Sequence, residues 1–196
     1  RPELVARPRP AELPASFAQQ RLWFLDRLEG ASATYNLPVA FTVSGRVDAR
    51  ALELALGDVV ARHESLRTVF AEAADGGRAT QVILPPQPFV LNRVACSPQE
   101  HAEAVRAAAG HVFDLAVDLP LRATLVSTGE EEHVLLLLLH HIAGDGASMG
   151  PLTRDLGEAY AARLGGEAPS WAPLAVQYAD YTLWQQRLLG EEGDPG

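Results

Sequence analysis

Six consecutive apolar residues, Val134-Leu135-Leu136-Leu137-Leu138-Leu139, run straight into HHIAGDG, His140 to Gly146. A strand that is apolar at every position has no solvent face, so it must be covered on both sides. That requirement predicts a central strand in a layered α/β fold. Neighbouring strand residues point to opposite sides, so only one of His140 and His141 can face a given cavity. Polar groups delivered by such a strand are costly unless something hydrogen-bonds or uses them.

The flanking patterns alternate between helix and strand. Ser16 predicts an N-cap for a helix over Phe17–Leu28, stopped by Gly30, and Asn36–Ser44 reads as a strand closed by Gly45. Leu52, Ala55, Leu56, Val59, Val60 and His63 form one stripe at helical spacing over about Asp48–His63. Short strands are expected at Leu66–Ala71, Thr80–Leu84 and Phe89–Val94, then a helix over about Pro98–Val112 capped by Ser97. Leu121–Ser127 and His133–Leu139 read as a hairpin across an acidic turn. Met149, Leu152, Leu156, Tyr160 and Leu164 mark a helix ended by Gly165-Gly166, and a last helix is expected over about Leu174–Leu189. Residues 1–14, with four prolines, read as an extended linker, 15–189 as the folded unit, and 190–196 as a flexible tail.

The balance of 47% hydrophobic and 21% charged residues is that of a soluble globular chain. The net charge is -9 and all 16 basic residues are arginine, with no basic cluster, which argues against nucleic acid as a partner. No apolar stretch approaches the roughly 18 residues of a membrane span. RPELVARPRP lacks the apolar segment of a secretory signal, and the single Cys96 fits a reducing compartment. A cytoplasmic setting without membrane attachment is the expectation.

Two readings of HHIAGDG stand on spacing alone. In one, the histidines cap a strand end and bond to backbone. In the other, glycines 144 and 146 let the backbone turn tightly beside a ligand, a helix starting near Ser148 aims its N–H groups at the same place, and a near-neutral imidazole serves acyl transfer. Neither a GxSxG nucleophile elbow nor a reactive setting for Cys96 is present, so an external nucleophile is favoured over an acyl-enzyme. A zinc site lacks a third ligand, and no metal is expected.

Three further segments accompany HHIAGDG in order: SFAQQRLWFL (16–25), RHESLRTVF (62–70) and YADYTLWQ (178–185). Together the four resemble the first signature motifs of nonribosomal peptide synthetase condensation domains. The resemblance implies a chloramphenicol acetyltransferase-like α/β fold, with a mixed central sheet flanked by helices and only the first of two lobes present. It implies amide-bond formation, in which the amine of an acceptor aminoacyl thioester attacks a donor thioester. His141 is then the catalytic histidine, His140 orients the loop, and Gly146 keeps the loop near the site. Asp145 forms a structural salt bridge with Arg62 or, second, Arg67. No cofactor is bound directly; substrates ride on the phosphopantetheine of carrier proteins. The implied partners are donor and acceptor peptidyl carrier proteins, an adjacent adenylation domain and the missing C-terminal lobe. HHIAGDGASMGPL is closer to the subfamily taking an L-configured donor, and the fragment alone is expected to be inactive.

Competing readings are an epimerization domain or another HxxxD acyltransferase, and a non-catalytic recruitment platform. Phe17, Leu22, Trp23 and Leu25 are read as core, with Gln19 and Arg21 as candidates near the tunnel. His63 is read as a core histidine satisfied at a helix C-terminus. Tyr178, Tyr181 and Trp184 are read as packing residues, and Asp180 as the partner of a neighbouring arginine.

Overall fold

The computed structural model describes residues 2–190, so the tail expected from residue 190 lies, past Gly190 itself, outside the described residues. In chain order the elements are β1 (Leu13–Pro14), α1 (Phe17–Glu29), β2 (Asn36–Ser44), α2 (Ala49–Arg62), β3 (Thr68–Glu72), β4 (Ala79–Ile83), β5 (Leu91–Ala95), α3 (His101–Ala109), β6 (Leu121–Ser127), β7 (Glu132–His140), α4 (Met149–Leu164) and α5 (Tyr178–Leu189). The 3₁₀ turns Glu64–Arg67 and Gly146–Ser148 lead into β3 and α4.

The larger sheet has the order β2-β7-β6-β5, which places the leucine-rich β7 inside it. It is mixed: β2, β7 and β6 pair antiparallel, whereas β5 runs parallel to β6. A smaller sheet, β1-β4-β3, stands apart from it in the hydrogen-bond pattern. Leu135 to Leu139 are all buried, as a strand covered on both faces requires. The odd positions Leu135, Leu137 and Leu139 pack with α2 and α4, through residues such as Leu56, Val59, Leu152 and Leu156. Leu138 joins Trp23 of α1, Phe70, Phe113 and Ile142 on the other face. Each leucine buried in this way contributes roughly 2 kcal/mol by transfer from water. A forked pair, Arg163 Nε and Nη2 to the two oxygens of Asp58 at 2.7 Å each, ties α4 to α2.

Several boundaries differ from expectation. α3 begins at His101, and Glu100 rather than Ser97 holds its start: the Glu100 carboxylate accepts from the Ser97 N–H at 3.0 Å and its hydroxyl at 2.7 Å. α5 starts at Tyr178, because Gln177 and Asp180 form a capping box there. The first fourteen residues are not a free spacer. Leu13 is buried and pairs with Gln81 of β4, Arg9 bridges Glu64 and Asp180 at 2.7 and 3.6 Å, and Trp184 Nε1–H donates to the Pro2 carbonyl. Asp180 thus finds the arginine partner expected of it.

Candidate active site

A cleft of about 350 Å³ opens where β7 ends, lined among others by Gln19, His63, His141, Asp145, Leu152 and Tyr178. It therefore gathers residues from all four sequence motifs. Strand alternation separates the two histidines as expected. His140 is 2% exposed and packs edge-on to Phe113, with ring centroids 5.8 Å apart. Its Nδ1 accepts the Ile142 N–H at 3.1 Å. Burial first, and then the nearby His141, hold its pKa down at about 4, so at neutral pH it is an uncharged brace that sets the direction of the loop.

His141 is exposed to the cleft. Its Nδ1 lies 2.8 Å from the Gly144 carbonyl. A carbonyl only accepts, so the proton sits on Nδ1 and Nε2 keeps its lone pair. No described residue occupies that second nitrogen. The loop is thus folded so as to fix the tautomer of its own histidine. Gly144 makes the fold possible: a Cβ there would come within 2.8 Å of Leu139 Cδ2 and 3.1 Å of Ser148. Gly146 has open space around it and no positive φ.

Asp145 overturns an expectation. Neither Arg62 nor Arg67 is its partner. Asp145 is exposed and caps the turn before α4: its Oδ1 accepts the Ser148 N–H at 3.0 Å and the Ser148 hydroxyl at 2.9 Å, while its own N–H donates to Ser148 Oγ at 3.0 Å. Those bonds from Ser148 lower its pKa below the ordinary carboxylate value. Arg67 donates to the Leu84 carbonyl and lies 3.7 Å from Glu64. Arg62 reaches Asp155 instead, Nε to Oδ2 at 3.0 Å, donates to the Ala172 carbonyl at 2.8 Å and stacks on Trp171. The physical reason is burial. An exposed aspartate at a turn is satisfied by local N–H and O–H groups, whereas the Asp155 side chain, 3% exposed, requires cations.

Asp155 is the residue that the motifs did not single out. His63 Nε2 meets its Oδ2 at 2.8 Å and Arg154 its Oδ1 at 3.1 Å, beside Arg62. Burial raises its pKa, but the bonds from His63, Arg154 and Arg62 outweigh that and leave it lowered. The sequence held one signal: Asp155 falls on the inward arc of α4 with Leu152, Leu156 and Ala159, a charge within an apolar stripe. His63 is correspondingly no core histidine but a half-buried cleft residue.

The candidates near the tunnel divide. Gln19 is buried, forms a capping box with Ser16 and donates to the Ile142 carbonyl at 3.5 Å, joining α1 to the loop. Arg21 does not line the cleft. Tyr178 does, with its hydroxyl 2.9 Å from Ser16 Oγ; burial raises its pKa, so it keeps its proton. Tyr181 stacks between Tyr178 and Trp184, with centroid distances of 5.4 and 5.8 Å, in the packing role expected.

A model of the condensation domain family matches residues 10–193. The chain belongs to that family. It is 53% identical over 196 residues to a dimodular nonribosomal peptide synthase of Bacillus subtilis and 49% identical over 195 residues to the isonitrile lipopeptide synthase of Mycobacterium tuberculosis. It covers 99% and 97% of itself in these matches, yet spans only 8% of either relative. Among solved structures, the X-domain from teicoplanin biosynthesis is similar with a TM-score of 0.90 and 42% identity, covering 100% of this chain and 42% of that one. The first condensation domain of the calcium-dependent antibiotic synthetase shares the fold, with a TM-score of 0.80 at 24% identity over 91% of this chain and 44% of that one. Coverage of less than half of these condensation folds agrees with one lobe of two. Among the described residues no helix is long and apolar enough to cross a membrane, and no three His, Cys, Asp or Glu side chains gather as metal ligands.

Proposed function

We propose that this chain is the histidine-bearing lobe of a condensation domain that forms peptide bonds between carrier-bound substrates. The observation that carries the reading is His141, its Nδ1–H engaged by Gly144 and its Nε2 unengaged in the cleft. An α-amino group has an ordinary pKa of about 7.7–8.0, so part of it is neutral near pH 7. In the proposed step the neutral amine of an acceptor aminoacyl thioester hydrogen-bonds to Nε2 and attacks the donor thioester carbonyl. The new C–N bond forms, the adduct nitrogen becomes strongly acidic, and Nε2 takes its proton. As the C–S bond breaks, the departing thiolate recovers that proton, leaving an amide and a free thiol. Holding the amine in line supplies several kcal/mol of the barrier, to order of magnitude.

Both substrates ride on phosphopantetheine arms of donor and acceptor peptidyl carrier proteins, with an adenylation domain adjacent, the C-terminal lobe completing the tunnel, and no cofactor resident in the cleft. The donor is L-configured, the enzyme is cytoplasmic, and the lobe by itself is inactive for lack of half the tunnel. A recruitment platform is the second reading, supported by the 42% identity to an X-domain that has been solved in complex with OxyB. The intact HHIAGDG and the open cleft favour catalysis.

The test is His141→Ala in the intact condensation domain. Peptide formation is expected to be abolished with the melting temperature unchanged. Turnover within a few-fold of the parent enzyme removes the role assigned to His141.

A further inference from the structure

A second imidazole borders the cleft. His63 terminates α2, and α4 and the start of α5 fix it. Its Nε2 lies 2.8 Å from Asp155 Oδ2, and an ionised carboxylate only accepts, so Nε2 carries a proton and, in the neutral ring, Nδ1 carries the lone pair. The backbone on either side is held by one side chain, since Gln177 Nε2–H donates to the Arg62 carbonyl at 2.9 Å and the Glu64 N–H donates to Gln177 Oε1 at 3.1 Å. Arg62 and Arg154 also bond Asp155. The Nδ1 atom has no partner among the described residues. Two imidazoles thus line one cleft, each with one nitrogen spent on an acceptor and the other left as an acceptor itself. His141 frees Nε2 and His63 frees Nδ1.

We propose that His63 is a substrate-positioning residue whose Nδ1 accepts a hydrogen bond from an amide N–H of a carrier-tethered substrate lying in the cleft. The inference rests on the condensation reading above. A ring tied to Asp155, on a backbone clamped by Gln177 at residues 62 and 64, loses little freedom on binding, which is what a positioning contact requires. The amide belongs either to the acceptor's pantetheine arm or to the donor's peptide chain; both offer the same N–H.

The experiment compares two variants in the intact condensation domain, by saturation kinetics with donor and acceptor thioesters varied separately. His63→Gln keeps an N–H within reach of Asp155 but has nothing at the Nδ1 position. It should raise the KM of one substrate roughly tenfold, the weight of one good hydrogen bond, with kcat within about threefold and the melting temperature nearly unchanged. His63→Asn places an acceptor near Nδ1 but loses the tie to Asp155. It should melt lower and yet recover much of the KM. A rise confined to the acceptor assigns the contact to the acceptor arm, and one confined to the donor assigns it to the donor chain. Unchanged KM values for both substrates in His63→Gln overturn the proposal, as does a KM that simply follows the melting temperature through both variants. A parent enzyme that forms no peptide bond overturns the condensation reading itself, a result separable from either.

Discussion

The rim of the cleft at residues 141–148 and the wall made by α2 and α4 border the same space, yet they are held in different ways. In the rim, the bonds that shape the loop are short in sequence: His141 to Gly144, His140 to Ile142, Asp145 to Ser148, with Gln19 of α1 reaching the Ile142 carbonyl from outside. The wall is closed by bonds between residues about a hundred positions apart, Arg62 to Asp155 and Arg163 to Asp58. At its outer end the rim carries His141 and Asp145 near solvent, where each bond is worth little and can adjust, while His140 at its root is buried. The wall carries a buried anion whose partners cannot be removed singly without leaving a charge in an apolar place. The proposed catalytic histidine sits on the locally folded piece, and the proposed positioning histidine on the seam behind it.

The sharpest way to break that contrast is to delete the two aspartates in turn. Asp155→Ala strands Arg62 and the half-buried His63 and should cost about 4 kcal/mol in urea unfolding. A loss below about 1 kcal/mol would put the seam on the same footing as the rim. Second in size is an acid effect at the root of the rim. The unfolded His140 imidazole takes up a proton near pH 6.5, while the folded one resists until about pH 4. Its contribution is therefore complete above pH 6.5 and is lost as pH falls toward 4, by up to about 3 kcal/mol. His140→Asn retains an acceptor for the Ile142 N–H, and its stability should be nearly flat across that window. An unaltered acid limb would show that the buried ring is not its source. The smallest effect is Asp145→Ala, which removes a cap and should cost about 1 kcal/mol. A cost near that of Asp155→Ala would restore Asp145 as a buried ion-pair member.

Elements whose register is written along the chain were legible. The alternation of 36–44, the apolar run after 133 and the cap at Ser16 emerge where the sequence puts them, and α2 starts one residue after the expected Asp48. The sequence put His141 at the site and Gln19 near the tunnel, and the cleft gathers both; it also takes in His63 and Tyr178, which read as core and packing residues. What failed was pairing. Arg62 had two acidic candidates on the far side of β7, ten residues apart, and nothing local distinguishes an exposed aspartate from one turned inward by helix phase. The choice of Asp155 depends on how α4 rolls against α2, which is a tertiary fact. The docked leader was hidden for the same reason: its prolines read as a spacer, and its partners in β4 and α5 lie far along the chain.

The contacts Ser16 Oγ to Tyr178 Oη, Phe17 N–H to Gln185 Oε1 and Trp184 Nε1–H to the Pro2 carbonyl span 162, 168 and 182 residues. Closing loops of that size is slow relative to forming local turns. α1 is tied to elements far along the chain: Gln19 in its first turn meets the Ile142 carbonyl and Phe17 meets Gln185 of α5, so its last partner arrives only when α5 has been made. A nascent chain halted before residue 178 leaves the side of the cleft that carries Tyr178 unassembled.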